Sequence, residues 1–65
     1  MKKNELEVGK LYTDREGRYR RILKMEGESR VDYQKVIPIA DGWMNIFEET
    51  WCSKSTFAKW AKKPV

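Results

Sequence analysis

Arg15, Arg18, Arg20 and Arg21 crowd into one short polar stretch of a 65-residue chain. A guanidinium presents a planar fork of N–H donors that fits phosphate or carboxylate, so the group is a candidate anion-binding element. On a strand, Arg18 and Arg20 share a face, and Arg21 joins them only if a bulge intervenes. The competing account is a solvated strand face whose charges pair with Glu7, Asp14, Glu16, Glu28 or Asp32. Lys59, Lys62 and Lys63 form a second cationic group on the polar side of a C-terminal helix. Solubility explains them equally well, and the last two also suit the negative end of the helix dipole. These seven side chains are the nucleic-acid-binding candidates. A second candidate set is Trp43, Met44, Glu48, Glu49 and Trp51. Loop-proximal Trp and Met anchor many protein interfaces, so this acidic and aromatic band is the protein-binding candidate. Phe47, Phe57 and Trp60 are assigned to the core, because so short a chain needs most of its aromatics inside.

Catalysis finds no foothold in these residue types. The chain has no histidine. General acid-base work would fall to carboxylates or a perturbed lysine, and the adjacent Glu48 and Glu49 point to opposite faces of a strand. Ser53 and Ser55 lack an evident base. Cys52 would sit beside a helix N-terminus, where a thiolate is favoured, but an unactivated cysteine usually packs as a small hydrophobe, and that is the role assigned here. Cys52 is also the only cysteine. An intrachain disulfide is excluded and the usual soft metal ligands are missing, so a reduced, cytoplasmic setting without metal or cofactor is expected. The reading is a non-enzyme.

Charge is banded along the chain. Residues 1–35 hold ten basic and seven acidic side chains, residues 36–53 hold only Asp41, Glu48 and Glu49, and residues 54–65 hold four lysines. The net charge of +4 favours anionic partners, yet a dedicated polyanion binder would usually lack the acidic middle. Met1-Lys2-Lys3 resembles the charged start of a signal peptide, but Asn4, Glu5 and Glu7 stand where an apolar run belongs. The uncharged run from Val36 to Ala40 is far shorter than the ~20 residues a membrane helix needs.

The elements that must carry these residues are mostly strands. Leu11 to Met25 reads as a β-hairpin closed at Asp14-Arg15-Glu16-Gly17, with strands at 10–13 and 18–26. Tyr19, Leu23 and Met25 fall on one face of the second strand and Ile22 on the other, which predicts a bend or a bulge. Glu26-Gly27-Glu28-Ser29 is the next turn. A third strand over 30–37 alternates with Val31, Tyr33, Ile37 and then Ile39 inward, and Pro38 marks an edge or the end of pairing. After a turn at Ala40-Asp41-Gly42, Trp43 to Trp51 reads as one fourth strand, with Trp43, Phe47 and Trp51 on one face and Met44 and Ile46 on the other. From Ser53 the period becomes helical: Ser53 caps, Phe57, Trp60 and Ala61 face inward, and Pro64 stops the helix. Residues 1–5 are expected to fray, with Leu6 and Val8 laid against the core. The chain is one small domain, which hides only about 60% of the surface its unfolded form exposes.

Val8-Gly9-Lys10-Leu11-Tyr12, the turn at Gly17, the Tyr19-to-Leu23 strand, Val31-Asp32-Tyr33 and Phe57-Ala58-Lys59-Trp60-Ala61 together resemble the short SH3-like β-barrel proteins encoded by phages and prophages. The resemblance spans residues 6 to 62. It implies a mainly β fold, a small SH3-like barrel of four to five antiparallel strands with one C-terminal α-helix, and it implies a small adaptor or inhibitor. Two functions are expected in order: contact with a host protein through the Trp43-to-Trp51 band, then nucleic-acid binding through the arginines and helix lysines. A third use of the fourth strand, as an exposed edge for self-association, stays open.

Overall fold

In the computed structural model, which describes residues 1–65, one antiparallel sheet of six strands carries one short helix. The strands are β1 (Leu11–Thr13), β2 (Tyr19–Glu26), β3 (Arg30–Ile39), β4 (Gly42–Asn45), β5 (Thr50–Cys52) and β6 (Lys63–Pro64), and the helix α1 is Lys54–Trp60. The order is β4-β3-β2-β1-β6, with β5 also paired to β3. The sheet is open: β6 forms one edge, while β4 and β5 share the other. The closed barrel expected from the sequence is not formed.

The β1–β2 hairpin forms where its turn chemistry predicts. Asp14 Oδ1 accepts from the Glu16 and Arg18 backbone N–H groups at 2.9 and 3.0 Å, and Gly17 takes a φ of 77° that a side-chain-bearing residue would resist. The predicted irregularity of β2 is a bulge. Register with β3 shifts between Ile22 and Lys24, so Ile22 lies opposite Tyr33 while Met25 lies opposite Val31. One extra residue lets an even and an odd position point to the same core.

The third strand is longer than expected and divides its outer edge between two partners. Met44 lies opposite Ile37, but Trp51 lies opposite Asp32, so two residues are looped out between β4 and β5. The single strand expected over 43–51 is therefore two. The break falls after Ile46, whose N–H still donates to Lys35 O at 3.1 Å; the Gln34 side-chain amide then holds Phe47 O at 2.8 Å and turns the chain off the ladder. Phe47 is 62% exposed and does not join the core. Because the insertion is even, parity survives: Met44 and Ile46 stay on the core side of the sheet, and Trp43 and Trp51 on the outer side.

The helix begins as predicted, with Ser53 Oγ accepting from Thr56 N–H at 3.1 Å, but it is only seven residues long. Phe57 is its buried anchor. The core it closes comprises Leu6, Tyr12, Ile22, Val31, Tyr33, Phe57, Ala58 and Ala61. Ile37 and Ile39 were expected inward; they do lie on the core side, since they alternate with Tyr33, but the short helix does not reach them and they are exposed. Val36, with the opposite parity, is buried instead on the outer side, opposite Tyr19. Tyr19 in turn meets the Trp43 ring at 5.0 Å.

Both termini depart from expectation. Residues 1–5 do not fray: Lys3–Glu5 is a 3-10 helix, and the Met1 amino group donates to Ala58 O and Ala61 O, each at 2.9 Å. Carbonyls at a helix C-terminus lack intrahelical donors, and a cation there also meets the negative end of the dipole. Val8 is exposed beside the turn at Gly9, whereas Leu6 packs as expected. Helix α1 stops at Ala61, before Pro64, so Lys62 and Lys63 are not helical. Instead the chain returns to β1, where Lys62 N–H donates to Thr13 O and Val65 N–H to Leu11 O.

Phe57 and Phe47, alike in sequence, should separate cleanly in stability. Phe57→Ala is expected to cost about 3–5 kcal/mol, and Phe47→Ala to stay within about 0.5 kcal/mol. Urea unfolding followed by tryptophan fluorescence measures both.

Candidate functional site

Four of the seven cationic candidates meet beside the β1–β2 turn. Arg15, Arg18, Lys59 and Lys62 line one shallow depression with Asp14, Glu16 and Trp60. The acidic pair neutralises much of it. Asp14 Oδ2 binds Arg18 Nε at 2.7 Å, and Arg18 reaches Glu16 at 3.2 Å. Asp14 also accepts from the Trp60 indole N–H at 3.0 Å, which ties the hairpin turn to α1. Burial by itself would raise the Asp14 carboxyl, but the Arg18 and Glu16 backbone N–H groups, the Arg18 side chain and its positive charge outweigh that and hold it down to about 2. Arg18 is accordingly a structural partner of Asp14. Lys63 lies on β6, opposite Thr13.

Arg20 and Arg21 lie on opposite sides of β2, because the bulge comes after them. Arg21 faces outward, between Leu11 and Gln34. Arg20 turns to the core side. Its guanidinium carbon lies 4.1 Å from the Trp60 ring centroid and 4.7 Å from that of Tyr33, and it takes part in none of the ion pairs in the chain. Lys35 stands directly opposite Arg20 on β3. It too has no carboxylate partner; its ammonium lies 5.3 Å from the Phe47 ring. Two like charges opposed across a sheet cost stability unless something answers them. Sequence reasoning missed Lys35 because its importance depends on strand register.

Next to this pair lies a groove of about 240 Å³, with Val36, Ile37, Pro38, Ile46 and Phe47 as its apolar lining. Ile37, Ile39, Met44 and Ile46 continue the core side of the sheet past the end of α1, each at least one-third exposed. The signal for this patch was present in the alternation of β3 and β4. Met44 was already a protein-binding candidate, whereas Ile37 and Ile39 were expected inward.

The protein-binding candidates do not form one surface. Met44 belongs to the uncovered apolar face. Trp43 is on the outer side, half-buried against Tyr19, while Trp51 is 56% exposed on that same side with the Arg30 guanidinium 4.7 Å from its ring centroid. Glu48 and Glu49 occupy the exposed connection between β4 and β5, beside Lys35 and Phe47. Cys52 packs against the core cluster, and burial pushes its thiol above the ordinary value despite the nearby Arg20 charge. A neutral thiol at physiological pH suits the packing role.

No protein-family model, curated protein or solved structure matches this chain. No helix is long and apolar enough to cross a membrane. No group of three or more acidic or cysteine side chains is arranged to hold a metal ion.

The depressed carboxyl of Asp14 gives stability a defined acid dependence. Its contribution is complete above the ordinary Asp value of about 3.9 and drains away as pH falls from about 4 toward 2. Asp14→Asn should lower the melting temperature at neutral pH and flatten that part of the profile, as thermal unfolding between pH 2 and 7 would measure.

Proposed function

We propose that this chain is a small non-catalytic binding module that acts by protein–protein contact, as an adaptor or inhibitor of a host protein in the cytoplasm. The observation that carries the reading is the uncovered apolar face of the β3–β4 hairpin. Ile37, Ile39, Met44 and Ile46 lie on the side of the sheet that elsewhere packs against α1, yet α1 does not reach them and each stays more than one-third exposed. Contiguous exposed apolar surface of this kind marks interaction sites in soluble proteins. In so small a domain, every large side chain left outside is withheld from the core.

The face is also poor in charge, with Asp41 the only ionisable side chain between Val36 and Phe47. That suits a folded partner better than a phosphate backbone. The SH3-like, phage-type reading draws support from the short hairpins, the bulged second strand and the helix that precedes the return to β1. Nucleic-acid binding loses support from Arg18, which Asp14 and Glu16 engage, and from Arg20 and Arg21, which face apart.

Replacing Ile37 and Met44 together by serine tests the assignment. The double variant should melt close to the parent but lose a partner captured from bacterial lysate, while Lys63→Ala keeps it. Capture that survives the double substitution would contradict the reading. So would DNA or RNA binding that falls steeply with salt and disappears when Arg18, Arg20 and Arg21 are all alanine.

A further inference from the structure

We infer that the partner is recognised through a carboxylate set beside a large apolar side chain, held by Arg20 and Lys35 at the mouth of the Ile37–Ile46–Phe47 groove. This deepens the protein-binding reading and rests on it. Arg20 is half-buried, and its guanidinium lies over two aromatic rings. No buried polar side-chain atom in the chain lacks a partner, so the guanidinium donors that meet no protein acceptor are open to solvent. A fork already oriented by stacking loses little freedom when it binds a carboxylate in bidentate fashion.

Lys35 adds the second charge from directly across the sheet. Arg20 and Lys35 both line the groove, and so do Ile37, Ile46 and Phe47. Cation and apolar floor therefore meet in one concavity. The third cation there, Arg18, is held by Asp14 and Glu16, which leaves the opposed pair to answer an incoming anion. A side chain such as Leu or Phe would occupy the apolar floor, and a neighbouring Asp, Glu or terminal carboxylate would relieve the repulsion between Arg20 and Lys35. Glu48 and Glu49 line an adjoining depression with Lys35 and would repel a continuous phosphate backbone, while a peptide with a single acidic group can avoid them.

A random dodecapeptide library selected on the full chain tests this. Enriched sequences should place Asp or Glu within two positions of Leu, Ile, Phe, Met or Trp, and their affinity, measured by fluorescence anisotropy, should fall about tenfold or more in both Arg20→Gln and Lys35→Gln, since a charge-assisted bond is worth roughly one decade. Lys35→Gln keeps the test sound if Arg20→Gln fails to fold. Selected peptides that bind with neither an acidic residue nor a free terminal carboxylate, or with affinities unchanged in Lys35→Gln, would overturn the carboxylate assignment. If such neutral peptides still lose binding in Ile46→Ser, the broader protein-binding reading stands. An absence of enrichment, together with tighter binding of single-stranded oligonucleotides, would overturn both.

Discussion

Phe57 is the contact on which the remaining geometry depends. Its ring meets Tyr12 at 5.8 Å, Tyr33 at 5.4 Å and Trp60 at 5.3 Å, in edge-to-face arrangements that suit aromatic quadrupoles. A helix this short has almost no stability of its own, so packing must hold it. Once Phe57 is seated, Trp60 sits above the start of β2, and Arg20 lies over the Trp60 and Tyr33 rings. The orientation of a charged group at the surface is thus set by a buried apolar contact.

The same economy explains why the candidate surface exists. One short helix covers the lower part of the sheet, where Tyr12, Ile22, Val31 and Tyr33 are buried, and then ends. β3 continues beyond its pairing with β2, so its last residues have only β4 as a neighbour. The sheet alternates identically in both regions, but burial does not. Pro38 is tolerated there because β2 pairs no further than Val36, and a missing donor on that side costs nothing.

Charge density alone is a poor guide to a binding site in this chain. Arg18 lies in the densest basic stretch, yet Asp14 engages it in the hydrogen-bond network that shapes the turn and reaches Trp60. Lys35, isolated in sequence, becomes part of a charged pair only through the β2–β3 register. What distinguishes Arg20 from Arg15 and Arg21 is its place over the Trp60 and Tyr33 rings and opposite Lys35, and this depends on how the sheet and helix come together.

The local elements were legible in the residues themselves. The Asp14-to-Gly17 turn, the bulge implied by Ile22 among odd apolar positions, the turns at Gly27 and Gly42 and the Ser53 cap all depend on short-range sterics and hydrogen bonding, which a few consecutive residues determine. Parity was legible too, for Met44 and Ile46 against Trp43 and Trp51. Which of the alternating side chains would be covered was not. Ile37 and Val36 obey the same periodicity, but Val36 is buried on the outer side opposite Tyr19, while the short α1 and the overhang of β3 leave Ile37 exposed. Phe47 left the ladder because a side-chain amide thirteen residues away binds its carbonyl. Burial and charge pairing are sums over distant segments, so they were decided by the tertiary structure.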